Sequence, residues 1–106
     1  MTDDTLFRLE ATIAERRAGD PGASYVAKLH AKGIGKVAQK VGEEATEVVI
    51  AALSGNAHDL TGEAADLLFH LLVLLGEKDV ALADVLAELR RREGTSGIAE
   101  KQSRSS

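Results

Sequence analysis

The chain has no cysteine, which excludes disulfides and any metal site built on thiolates. Proline occurs once, at Pro21, and the ten glycines fall mostly at breaks between helical patterns. Basic residues are the minority, 13 against 17 acidic for a net charge of −4, and they form no block suited to a nucleic-acid duplex groove. Apolar runs such as Leu71–Leu75 are short, far below the length of a bilayer span. The opening "MTDDTLFRLEAT" is acidic and lacks an apolar core, unlike a secretory leader. At 106 residues the composition fits one domain of a soluble, cytoplasmic protein, with neither nucleic acid nor membrane as partner.

What is present is helical periodicity. Residues 4–17 read as a first helix, with Asp4 at its cap and Leu6, Leu9 and Ile13 on one face. "GDPG" at 19–22 is a turn. Ser24 is placed to cap a short helix through Lys32, ended by Gly33 in a left-handed conformation. A long helix is expected from Gly35 to Leu53, with Val37, Val41, Ala45, Val48, Val49 and Ala52 as its apolar stripe, widened by Ile50 and Ala51. Asn56 and Asp59 form a capping-box pattern, and the helix they open is expected to stop at Gly76. A last helix over 80–93 gathers Leu82, Val85, Leu86 and Leu89 on one side and ends in Arg90, Arg91 and Arg92, where cations suit the helix dipole. Residues 94–106 are expected to be a frayed tail. The fold class is therefore all-α, with four to five helices and a core over residues 4–93. The two central helices are apolar nearly all round, so a homodimer that buries them in a larger bundle is expected.

Acidic residues crowd the entrances to both central runs. Glu44 and Glu47 in "KVGEEATEVVIAALSG", and Glu63 and Asp66 in "GEAADLLFHLLVLLG", are each spaced i,i+3 and so are neighbours on their helices. If the helices pack antiparallel, the two pairs face each other. Like charges about 5 Å apart repel by roughly 3 kcal/mol at an effective dielectric near 20, so a cation between them is the natural remedy. Carboxylate oxygens are hard ligands, which points to Mg²⁺ or Mn²⁺, and Mg²⁺ completes its shell with water and phosphate oxygens. A lone EExxE is more often a solvated helix face; two such pairs joined by one short turn are harder to explain that way. His70 continues the line of Glu63 and Asp66, and its plainer role is a buried ring bonded to a carboxylate or a carbonyl. Lys36, Lys40, Arg16 and the Arg90–Arg92 run either pair at the surface or reach phosphates.

These residues resemble a known signature. EExxE in "GEEATEVV", followed after fifteen residues by ExxD in "GEAADLL", resembles the all-α nucleoside triphosphate pyrophosphohydrolases of the MazG-like superfamily. "SYVAKL" at 24–29, "KVGEEATEVVIAA" at 40–52 and "EAADLLFHLLVLL" at 63–75 together resemble the phosphoribosyl-ATP pyrophosphatase family. The likeness covers roughly residues 6–97, and the closing "RRREGTSG" fits it; Val26 and Phe69 depart from it mildly, where threonine and tyrosine are usual. The resemblance implies Mg²⁺-dependent hydrolysis of phosphoribosyl-ATP to phosphoribosyl-AMP and pyrophosphate, in histidine biosynthesis, by a homodimer. Without cysteine ligands for the zinc of the cyclohydrolase often fused to this domain, it implies the stand-alone pyrophosphatase.

The roles expected follow from that chemistry. Glu44, Glu47, Glu63 and Asp66 are the metal ligands, and Glu43, Glu44 and Glu47 the catalytic carboxylates, with Glu43 as orienter or base. Arg16, Lys36, Lys40 and Arg92 are candidates for the phosphates, Ser24 and Tyr25 for a ribose or phosphate, and His70 for the substrate. Two rival readings share some of these features. One is a house-cleaning enzyme acting on dUTP or dCTP; the other is a non-enzymatic helical dimerisation module.

Overall fold

The computed structural model describes residues 3–94 and 97–105. Within them lie six helices and no strand: α1 (Thr5–Arg16), α2 (Tyr25–Lys32), α3 (Ile34–Ser54), α4 (Ala57–Glu77), α5 (Leu82–Arg92) and α6 (Gly97–Ser105). The all-α expectation holds. The frayed tail does not, because residues 97–105 are helical; the parts of that expectation at residues 95, 96 and 106 lie outside the described residues.

Capping chemistry sets most of the boundaries. Ser24 Oγ accepts from the Ala27 amide at 3.2 Å, and Gly33, at φ 95°, closes α2 in the left-handed region that glycine tolerates. Asn56 Oδ1 accepts from the Asp59 amide at 2.8 Å and opens α4. Two expected boundaries fail. Asp4 sits at the N-cap of α1 without capping it, because its carboxylate pairs with Arg8, and Asp3 instead accepts from the Thr5 amide at 2.9 Å. Gly76 does not stop α4. It lies inside the helix with the Arg17 guanidinium over its Cα, and the chain turns at Asp79, at φ 56°.

The α3–α4 hairpin is the spine, and its two helices share the most extensive packing in the chain. The short Gly55–Asn56 link makes them antiparallel. α1 lies against α4, and α2 against α3. Ile13, Val26, Leu29, Val37, Leu72, Val73 and Leu82 form one cluster, with Leu6, Leu9, Phe69 and Leu86 packed on it. Val37 and Val73 are sealed, and each side chain of this size contributes about 1.5–3 kcal/mol by leaving water. The hairpin's own share of this cluster, Val37, Leu72 and Val73 with Phe69 packed on them, comes from the half holding the start of α3 and the end of α4.

The other half is bare. Leu53 is 83 % exposed, and Val49, Ile50 and Leu68 are each about half exposed. The expected stripe is accordingly rotated: Val37, Glu44 and Ala51 are the buried positions of α3, while Val49 and Ala52 face out. Across the opposite side of the core, Glu10 on α1 accepts at 2.8 Å from the Leu82 amide, the first of α5. Ala81 has no side chain able to cap α5, so a carboxylate from 72 residues away does so.

Candidate metal centre and substrate cavity

Glu44 lies on the buried face of α3, and Glu63 and Asp66 lie one turn apart on the facing side of α4. The hairpin brings one carboxylate oxygen from each within 4.8 Å of the others. Glu44 is only 9 % exposed, Glu63 is half-buried and Asp66 is open to solvent. Glu47 stands next to Glu63. A hydrogen bond shared with Glu47, then burial, then the charges of Glu47, Asp66 and Glu44 hold the Glu63 carboxyl above its ordinary pKa of 4.5. Glu63 Oε2 is buried without a hydrogen-bond partner. An orphaned, buried carboxylate oxygen facing two more carboxylates is a donor set that fits a hard divalent cation. The residues present therefore fit the group expected from the sequence.

Lys40 approaches from α3, with Nζ at 3.6 Å from Glu44 Oε1 and 3.8 Å from Glu43 Oε2. Its ammonium is held above its usual pKa by Tyr25 first, with burial opposing and Glu43 and Glu44 adding to the rise. Glu43 points outward, where Gln39 donates to it at 3.3 Å, so it touches the cluster through Lys40 alone among these contacts. Lys36 is half-buried one turn earlier on α3.

Three of the other expected residues converge elsewhere. Arg16, Ser24 and Tyr25 line a cavity of about 290 Å³ between α1, the loop after it, α2 and α4, with Leu9, Thr12 and Phe69 completing its walls. Tyr25 belongs to both places. Its ring stacks on Phe69 at 6.1 Å, and its Oη lies 2.8 Å from His70 Nε2, on the side of the acidic cluster. Burial raises the phenol's pKa; Lys40 opposes this, and Glu44, Glu43 and Asp66 reinforce it. His70 is 6 % exposed, with Nδ1 2.7 Å from the Asp66 carbonyl oxygen. Both ring nitrogens are thus engaged inside the protein, as in the plainer reading of this residue. Arg92 stands apart on α5, where its Nε donates to Glu88 at 3.2 Å beside Val80 and Leu89.

Thr12 and Phe69 were absent from the expected site. Thr12 precedes Arg16 by one helical turn and so shares its face, a spacing that marks it in retrospect. Two further hollows, of about 460 and 380 Å³, flank Glu47, one running to Asp59 and Glu63 and the other to Lys40 and Glu43.

The pattern of carboxylates on these two helices can be set beside known proteins. Residues 6–93 match the model of the phosphoribosyl-ATP pyrophosphohydrolase family. The chain belongs to that family. Among phosphoribosyl-ATP pyrophosphohydrolase relatives, a phosphoribosyl-ATP pyrophosphatase of Novosphingobium aromaticivorans is 74 % identical over 102 residues, covering 96 % of this chain and 95 % of its own. Proteins of the same name from Rhizorhabdus wittichii and Zymomonas mobilis are 68 % and 53 % identical, over 94 % and 98 % of this chain and 94 % and 97 % of theirs. The family resemblance read from the sequence is borne out.

Proposed function

We propose that this chain hydrolyses phosphoribosyl-ATP between its α and β phosphates, giving phosphoribosyl-AMP and pyrophosphate in the cytoplasmic synthesis of histidine. The observation that carries the reading is the Glu63 oxygen, buried and unpartnered against Glu44 and Asp66, in a member of this family. Glu44, Glu63 and Asp66, with Glu47 beside them, would hold Mg²⁺ or Mn²⁺. Such an ion, when bound, neutralises phosphate oxygens and makes a water acidic enough to attack.

The protein's own groups supply the rest. Lys40, already beside Glu44, turns its ammonium to the phosphates, and Lys36 lies one turn behind it on the same helix. Glu47 opens onto both flanking hollows and is the carboxylate placed to take the proton of the attacking water. Glu43 steadies Lys40 from the solvent side. Arg16, Ser24 and Tyr25 hold the nucleoside end in the 290 Å³ cavity. His70 acts from behind this surface, and Arg92 takes no part.

The active form is a homodimer. The uncovered half of the hairpin supports this, with Val49, Ile50, Leu53 and Leu68 bare. Ala38, Gly42, Ala45, Val49 and Ala52 follow one another at alternating four- and three-residue steps along α3, a smooth strip suited to a second helix. The deciding experiment incubates the chain with phosphoribosyl-ATP, dUTP and dCTP separately, with and without MgCl₂, and measures pyrophosphate. Release from phosphoribosyl-ATP alone, and only with the cation, is the expected result. Release from dUTP or dCTP instead, or from none, would overturn the proposal.

A further inference from the structure

His70 is buried more deeply than Glu44, and the hydrolysis described above gives it no contact with the substrate. Its surroundings fix where its proton sits. The Asp66 carbonyl, 2.7 Å from Nδ1, can only accept, so Nδ1 carries the hydrogen. In the neutral ring Nε2 is then an acceptor, and the hydrogen bond to Tyr25 Oη at 2.8 Å must use the phenol's own proton. Tyr25 is thereby committed as a donor inward, and the lone pairs left on its oxygen can only accept from outside.

Ring packing holds the two groups together. Phe69 stacks on Tyr25 with planes 22° apart and meets His70 edge-on at 5.2 Å, while Tyr25 and His70 meet edge-on at 5.6 Å. The Ser24 cap fixes the start of α2, and Tyr25 is its first residue. Lys40 supplies the positive charge acting on this phenol, and Glu43, Glu44 and Asp66 supply negative ones. An oxygen that can only accept, set beside carboxylates, repels a phosphate oxygen and welcomes a hydroxyl.

We propose that His70 is a positioning residue whose fixed tautomer makes Tyr25 Oη an obligate acceptor for a ribose hydroxyl of a nucleotide seated in the 290 Å³ cavity that Tyr25 lines. This rests on the function proposed above, and it assigns Tyr25 to sugar rather than to phosphate.

The test is a double-mutant cycle in kcat/KM for phosphoribosyl-ATP with MgCl₂, using Tyr25→Phe, His70→Phe and the pair together. Tyr25→Phe keeps the stack on Phe69 and removes one hydrogen bond, so it loses about tenfold. His70→Phe loses a similar factor and the double variant no more, because both changes break one interaction. His70→Gln, whose amide oxygen reaches about as far as Nε2, recovers most of the loss. In ¹⁵N spectra of the wild type the imidazole shows protonated Nδ1, and Tyr25→Phe shifts the Nε2 resonance without any substrate present. Losses that multiply to about a hundredfold in the double variant overturn the inference, as does a His70→Gln variant no better than His70→Phe. Should His70→Phe fail to fold, Tyr25→Phe with full activity or an unmoved His70 Nε2 signal overturns it. An inactive wild type refutes the proposed function and this inference with it; an active wild type with multiplying losses refutes the inference alone.

Discussion

Glu44→Gln separates two effects of one carboxylate. In the metal-free protein the Glu44 charge stands within 4.8 Å of that of Asp66. Two unit charges at that distance repel by about 3.5 kcal/mol at an effective dielectric of 20 and about 1 kcal/mol in bulk water. Asp66 is exposed, so the pair belongs toward the lower figure. Against this relief stands the Lys40 contact at 3.6 Å, a long ion pair worth less than about 1 kcal/mol. Without metal, the variant should therefore melt at or a few degrees above the wild type, since 1 kcal/mol corresponds to about 4–8 °C in a domain of this size. With Mg²⁺ the order reverses. At a hundred times its Kd the ion stabilises the wild type by about 2.7 kcal/mol, or roughly 10–20 °C, and the variant should keep little of that shift. Calorimetric melts in chelator and across a MgCl₂ series, run beside the pyrophosphate assay, read both effects. A Glu44→Gln protein that melts well below the wild type in chelator yet retains the full magnesium shift would refute the reasoning.

Other perturbations test separate parts of the structure. Val49→Lys leaves the chain's own core untouched and should convert a sedimenting dimer into single chains of 11.2 kDa; a wild type that already sediments at that mass refutes the dimer. Val73→Ala should lower the unfolding free energy by about 2 kcal/mol in urea titrations, because the site is sealed on all sides. The raised pKa of Glu63 gives the pH response a definite sign. The folded chain binds that proton more tightly than the unfolded one, so its contribution to metal-free stability grows as pH falls through the raised value toward 4.5, and levels off below. Denaturation in chelator at stepped pH should show this, and a Glu63→Gln variant with the same pH slope as the wild type would sink it.

The parts of this molecule legible in the sequence were those encoded by short spacing. The i,i+3 pairs Glu44/Glu47 and Glu63/Asp66 placed acids on facing sides of two helices, and three of the four meet as expected. Ser24 and Asn56 announced their helices because a cap is a local event. The errors arose where a distant partner outweighed local preference. Gly76 looks like a stop until Arg17, just past the end of α1, lies over it. The apolar positions of α3 do not reveal which of them α4 will cover, so Val49 and Ala52 share a sequence stripe with Val37 although they face out. A run of arginines likewise carries no record of Glu88 one turn away, to which Arg92 donates. The Tyr25–His70 bond spans 45 residues, and no periodicity could have suggested it.

The Glu10–Leu82 hydrogen bond has a practical consequence for anyone who trims or tags this chain. The opening segment acts as a latch on the docking of α5, so damage near residue 10 should be felt first at residues 82–92. Glu10→Ala would loosen amide protection there while leaving the hairpin, and the acids it carries, closed to exchange.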